Sequence, residues 1–256
     1  MAVKIRNSCG EQPTGHVDRV KSMMRKLDES LLSHLAPFAG LTRDEIREIL
    51  DQASTQRFNA GESIFDEGAV AERFFLLLDG YVRVVRITDG GDHVTVLHIP
   101  SGQLFGIASA LGHTNYPATS IAVSESITLA WPMRLWSDFE ARYEGFSTAT
   151  QRAVGKRMTD MHDRFVEMAT QQVEQRVANA LLRLINQMGR KTDQGIEVDF
   201  PITRQDLSQM TGTTLHTVSR LLSAWEKSGI VESRRKHIVV SRPQDLVLKA
   251  KPGAQH

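Results

Sequence analysis

Arg220, Ser219 and His216 recur at helical spacing within residues 202–240, ITRQDLSQMTGTTLHTVSRLLSAWEKSGIVESRRKHIVV. The arginine fork matches the O6 and N7 acceptors of guanine. A serine hydroxyl can touch a neighbouring base or a thymine methyl, and a neutral imidazole offers one donor and one acceptor. Gathered on one exposed helix face, these groups suit the reading of base edges in a DNA major groove. Thr203, Arg204, Gln205 and Thr214 fall at the starts of two short helices, where polar side chains and free amides hold phosphates. For His216 two readings stand: a base contact, or a solvated residue near the backbone.

The surrounding residues can form the elements that would position these groups. Thr203 caps the first helix with Asp206 three residues on, a shortened capping box. Leu207 and Met210 give that helix an inward face. Gly212 supplies the permissive backbone of a tight turn, and Thr214 caps the second helix through an amide near Thr217. Val218, Leu221, Leu222 and Trp225 form the buried stripe of the second helix, leaving Leu215, His216, Ser219 and Arg220 outside. Gly229 ends it. Residues 230–231 and 237–240 read as two strands of a wing with Ser233, Arg234, Arg235 and Lys236 at its tip. Two helices joined at a glycine and followed by a basic hairpin predict a winged helix-turn-helix. Residues 203–251 hold nine basic against four acidic side chains, a net of about +5 in a chain of net charge +1. Charge alone would also suit a solvated helical hairpin; cap, glycine turn, outward face and wing together argue for DNA.

A chain of 256 residues, 41% apolar, suits about two domains. No apolar run approaches the roughly 20 residues of a membrane span, and the start of the chain lacks an apolar signal core. A cytoplasmic protein without a membrane partner is expected. The single cysteine, Cys9, excludes an intramolecular disulfide framework and a chain-encoded four-cysteine iron–sulfur site.

The predicted organisation is α+β: a flexible arm over 1–30, a β-roll sensor domain over 31–136, a dimerisation helix over 137–172, a winged helix-turn-helix domain over 173–247 and a tail over 248–256. A short helix is expected over 31–38. Thr42 and Glu45 box a second helix whose apolar face is Ile46, Ile49 and Leu50. From residue 56 to about 130, short β-rich runs punctuated by Gly, Asp and Pro predict a barrel or roll. There Tyr81, Arg83 and Val85 alternate with Val82, Val84 and Arg86. Asp89, Gly90, Gly91 and Asp92 read as a hairpin turn, and Gly102 and Gly106 bracket another. A long helix is expected from about 147 to 172. Its Val154, Met158, Met161, Phe165 and Met168 fall at gaps of four and three, the seam of two wrapped helices. The same stripe could pack on its own barrel; a two-fold DNA site favours the seam. Val173, Val177, Leu181, Leu184, Ile185 and Met188 mark a further helix, and 189–195 reads as a polar turn.

This order, with GESI at 61–64, EG at 67–68, FFLLLDG at 74–80, GQLFG at 102–106, ITRQD at 202–206 and TVSR at 217–220, resembles the Crp/Fnr superfamily of transcription regulators. The β-roll corresponds to that family's cyclic-nucleotide-binding-like domain. The resemblance implies a homodimer that binds a two-fold TTG-type promoter site, contacts RNA polymerase and acts as an activator. Members that bind cyclic AMP use a Glu and an Arg where this chain carries Ile107 and Pro117, which argues against cyclic AMP. The cysteines of the oxygen-sensing branch are missing, which argues against an iron–sulfur cluster. What remains resembles the NnrR and Dnr-like branch, implying a response to nitric oxide through haem and control of denitrification or anaerobic genes. His113, His98 and His93 are the candidate axial ligands, with His113 preferred. A regulator controlled by its abundance alone stands as the alternative. A cupin-type enzyme would need a tighter histidine pair than His93 and His98 provide, so no enzyme is expected.

Overall fold

The computed structural model describes residues 28–88, 90 and 93–251. Cys9 and most of the flexible arm therefore lie outside the described residues, as do Asp89, Gly91 and Asp92 of the expected turn and residues 252–256 of the tail. The first capped helix, α1 (Arg43–Asp51), carries the full box: Thr42 N donates to Glu45 Oε2 at 2.7 Å, and Glu45 N donates to Thr42 Oγ1 at 3.3 Å. The helix expected over 31–38 is instead two 3₁₀ turns, Glu29–Leu31 and Ala36–Phe38. Leu35 is extended between them, and Pro37, in the first turn of the second, has no amide to continue a helix from the first.

The β-roll is two four-stranded antiparallel sheets. One orders β1 (Ser54–Phe58), β8 (Ser126–Pro132), β3 (Arg73–Asp79) and β6 (Leu104–Phe105); the other orders β2 (Ser63–Phe65), β7 (Thr119–Ala122), β4 (Tyr81–Ile87) and β5 (His93–Pro100). Phe75, Leu77, Val82, Ile99 and Phe105 meet in one buried cluster. The simple alternation read for β4 fails at its middle. The pairing with β5 shifts register between Val84 and Val85, and both Val82 and Val85 are buried. A bulge of this kind re-aims every residue beyond it.

Phe74 knits the outer face of the first sheet to the helices that follow. It stacks on Trp131 at 5.3 Å and meets the edges of Trp136 at 4.9 Å and Phe139 at 5.9 Å. Trp131 Nε1 donates to the Ile49 carbonyl at 2.8 Å, tying α1 to the same cluster. Trp136 and Phe139 belong to α2 (Trp136–Arg142), which leads into α3 (Glu144–Thr170). The long helix thus starts about a turn earlier than its apolar pattern indicates. Its stripe is divided: Val154 packs on the protomer's own core, while Met158, Met161, Phe165 and Met168 are exposed.

Extended backbone at Gln171 and Gln172 separates α3 from α4 (Val173–Met188). The expected polar turn over 189–195 is a hairpin, β9 (Gly189–Thr192) and β10 (Gly195–Val198). It joins the wing strands β11 (Val231–Arg234) and β12 (His237–Val240) in a sheet ordered β11-β12-β10-β9. Gly195 makes that approach close: a Cβ there would sit 2.3 Å from the Val240 carbonyl oxygen. Between the hairpins run α5 (Arg204–Thr211) and α6 (Leu215–Lys227). A last helix, α7 (Pro243–Ala250), buries Leu246 in the same core and so carries this domain past 247.

The two halves are joined by polar contacts around an aromatic centre. Arg83 on β4 pairs with Asp206 on α5 at 2.9 Å. Tyr81 Oη donates to Asp199 at 3.2 Å. The Phe200 ring lies 4.9 Å from Tyr81 and 5.3 Å from His98. Burial first, then the charge of Arg164, lowers the His98 pKa from 6.5 to about 4. Because its folded value lies below its unfolded one, the stability His98 contributes is present above pH 6.5 and lost as pH falls towards 4. That loss is expected to be on the order of 3 kcal/mol. Urea unfolding midpoints across this window should fall more steeply for the native chain than for His98→Phe; parallel slopes would rule out the histidine as their source.

Candidate nucleic-acid interface

The helix-turn-helix is held by short local contacts. Asp206 Oδ2 accepts from Thr203 N at 2.7 Å and from Thr203 Oγ1 at 2.6 Å, while Asp206 N donates to Thr203 Oγ1 at 3.1 Å. Gly212 ends α5 in the left-handed region at φ 59°, where a side chain would be strained. Thr214 Oγ1 then accepts from Thr217 N at 3.1 Å to start α6. Val218, Leu222 and Trp225 are buried, and Leu221 is packed against the same core. Trp225 Nε1 donates to Glu174 at 3.3 Å, fixing α6 to α4. With that stripe turned inward, Leu215, His216 and Arg220 are exposed and Ser219 is half-buried.

The four residues expected at phosphates divide into two kinds. Thr203 and Thr214 are engaged as caps, so their hydroxyls first serve the protein. Arg204 is a brace: Nη2 reaches Glu226 on α6 at 3.2 Å and donates to Ser233 Oγ on β11 at 3.1 Å. It lines a surface cleft with Gln205, Leu215, Arg235 and Lys236, between α5, α6 and the wing. Arg220, Lys227, Arg235 and Lys236 make no ion pair among the described residues, whereas Arg234 and Arg242 pair with Glu232 and Asp245. The net +5 is therefore concentrated in a few free cations rather than spread over nine. Lys227 was not singled out in the sequence; its charge gave no sign that it would stand unpaired. Lys236 sits at φ 64° in the wing turn, and its carbonyl accepts from Ile202 N at 3.0 Å.

The candidate sensor residues fall in different places. His113 is exposed, just after Gly112 in its left-handed turn. The side chain of His93 lies outside the described residues. His98 is buried, 8% exposed, and borders a cleft of about 540 Å³. Ile107 is packed into the core and Pro117 is exposed, so neither presents a polar group. Beside them Phe65 stacks on Tyr116 at 3.9 Å and continues to Phe75 and Phe105, filling the roll with rings. Among the described residues no cluster of three His, Cys, Asp or Glu could hold a metal ion, and no helix is long and apolar enough to cross a membrane.

Residues 55–143 match the family described as cyclic nucleotide-binding domain, and residues 175–247 that described as Crp-like helix-turn-helix domain. The chain is 27% identical over 194 residues to the cyclic AMP receptor protein of Thermus thermophilus, covering 76% of this chain and 87% of that one. It is 23% identical over 208 residues to electron transport regulator A of Shewanella oneidensis, covering 81% and 82%. The structure of FixK2 from Bradyrhizobium japonicum superposes with a TM-score of 0.68 at 21% identity, covering 79% and 99%. The order of β-roll, long helix and helix-turn-helix agrees with these matches, the first family falling on the roll and the second on the helix-turn-helix: the chain is a Crp/Fnr-type DNA-binding transcription regulator.

Proposed function

We propose that the protein works as a homodimer on a two-fold TTG-type promoter site, laying α6 of each protomer into successive major grooves and activating transcription through contact with RNA polymerase. One observation carries this reading: burial of Val218, Leu222 and Trp225 leaves Arg220 exposed and without an ion pair among the described residues. In this scheme Arg220 reads guanine through its fork, with Ser219 beside it and His216 towards the outer base. Thr203, Arg204, Gln205 and Thr214 set the helix on the backbone. The dimer forms along α3, where Met158, Met161, Phe165 and Met168 present an apolar stripe that water covers poorly. Val154 begins that stripe but is held by its own protomer.

The sensory part of the proposal is a response to nitric oxide through haem, with denitrification or anaerobic genes as targets. Its support is His98, an imidazole that stays neutral above about pH 4 and borders a cleft with one apolar wall and one cationic wall. A neutral imidazole is the usual axial ligand of haem iron, which would supply the site that binds the gas. His98 would hold the iron; the exposed His113 has no surrounding wall to exclude water.

Arg220→Ala should remove discrimination at one base pair of each half-site, costing roughly 1–3 kcal/mol; retention of full specificity in a competition binding assay would remove the readout role. Arg204→Ala should weaken binding to every sequence alike and flatten its salt dependence. Phe165→Asp should shift the protein to monomers in sedimentation and reduce promoter binding with it. Haem added to the full chain should give a Soret band that nitric oxide shifts and His98→Ala abolishes; a band that ignores this substitution would exclude His98. Lack of any band, with DNA binding intact, would favour control by abundance alone.

A further inference from the structure

The cleft of about 540 Å³ lies between the 3₁₀ turn at Ala36–Phe38, the end of β5, the first half of α3 and the end of α4. That volume suits a small molecule. Pro37, Leu97 and Leu104 form its apolar wall. The α3 side is cationic: Arg152, Lys156 and Arg157 fall on neighbouring turns, with Asp160 the one acid on the lining. Arg157 is the telling residue. It donates to the Leu104 carbonyl, which uses one of the five N–H groups of a guanidinium. Among the described residues no carboxylate pairs with it, with Arg152 or with Lys156. Burial lowers its pKa to about 10, which leaves it charged at neutral pH. A charge drawn out of water without an acid to meet it is costly, and such charges are ordinarily matched by a partner.

We infer that this cleft is an effector site for a small anionic molecule, whose carboxylate or phosphate group is held by Arg157 with Arg152 and Lys156, and whose remainder lies on the Pro37, Leu97 and Leu104 wall. Neither Ile107 nor Pro117, the positions compared with the family's nucleotide contacts, lines it. Asn186 and Gln187, at the end of α4, border the same cleft. An occupant therefore touches the β-roll, α3 and the DNA-binding domain together. A ligand that contacts both halves favours the arrangement in which both are in reach, and so shifts DNA affinity. That consequence rests on the proposed regulatory function; the site itself does not.

The test uses the full-length protein and inorganic phosphate at constant ionic strength, read by thermal unfolding and by promoter affinity. Phosphate should raise the melting temperature of the native chain. In Arg157→Gln and in Lys156→Gln, the concentration giving half the effect should rise at least tenfold. Lys156 is exposed, so its variant keeps the test valid if the Arg157 variant folds poorly. Equal phosphate responses in all three proteins, or no response in the native chain, would overturn the inference. A second arm adds hemin: competition with phosphate assigns the anionic group to the carboxylates of a haem, and independence assigns it to a free small anion. Arg220→Ala protein should keep the phosphate response while losing DNA specificity, which separates failure of the site from failure of the DNA-binding reading.

Discussion

Asp206 is the point on which the two halves of this molecule turn. One carboxylate oxygen accepts from the backbone and hydroxyl of Thr203 and starts the first helix of the helix-turn-helix; the other accepts from Arg83 of the β-roll. Both bonds are charge-assisted, and both are partly withdrawn from solvent, where such bonds are stronger than at an open surface. The residue that orders the DNA-reading unit therefore also fastens it to the β-roll. Phe200, between Tyr81 and His98, adds an apolar centre beside this ion pair, and Gln209 accepts from Thr95. Movement of the DNA-binding domain about the extended backbone at Gln171 and Gln172 must break these contacts together.

The β-roll keeps the architecture of a nucleotide-binding domain while its interior is occupied by protein. Phe65, Phe75, Phe105 and Tyr116 form a continuous stack, and Ile107 is packed in the neighbouring core. The open space and the unpaired cations lie instead on the flank of α3. That helix serves two surfaces at once. Its apolar stripe points away from the protomer, and its Arg152, Lys156 and Arg157 face inward to the cleft.

The local elements of the DNA-binding unit were legible before any coordinate. Thr203 with Asp206, Gly212, and Thr214 with Thr217 are contacts between residues two to four apart, so their identities and spacing suffice to define them. The buried stripe of Val218, Leu222 and Trp225 follows from the period of one helix. The hairpin over 189–198 was not legible, because Arg190 and Lys191 are exposed and show no apolar alternation; only the long-range pairing of β10 with β12 makes it part of a sheet. The bulge in β4 was hidden for a similar reason: it is a property of the pairing with β5, not of β4 itself. Among the candidate ligands His113, His98 and His93, sequence offered no measure of burial, and the preference for His113 rested on its loop alone.

The order of residues by itself determined the winged helix-turn-helix, the outward position of Arg220 and the presence of a long amphipathic helix, since these follow from periodicity and neighbouring caps. Tertiary structure alone decided that Arg204 braces α5 to α6 and β11, that Asp206 answers to Arg83 123 positions away, and that His98 and Arg157 border one cleft. The physical reason is that desolvation and charge pairing depend on which distant chain segment closes over a group, and no local pattern encodes that neighbour.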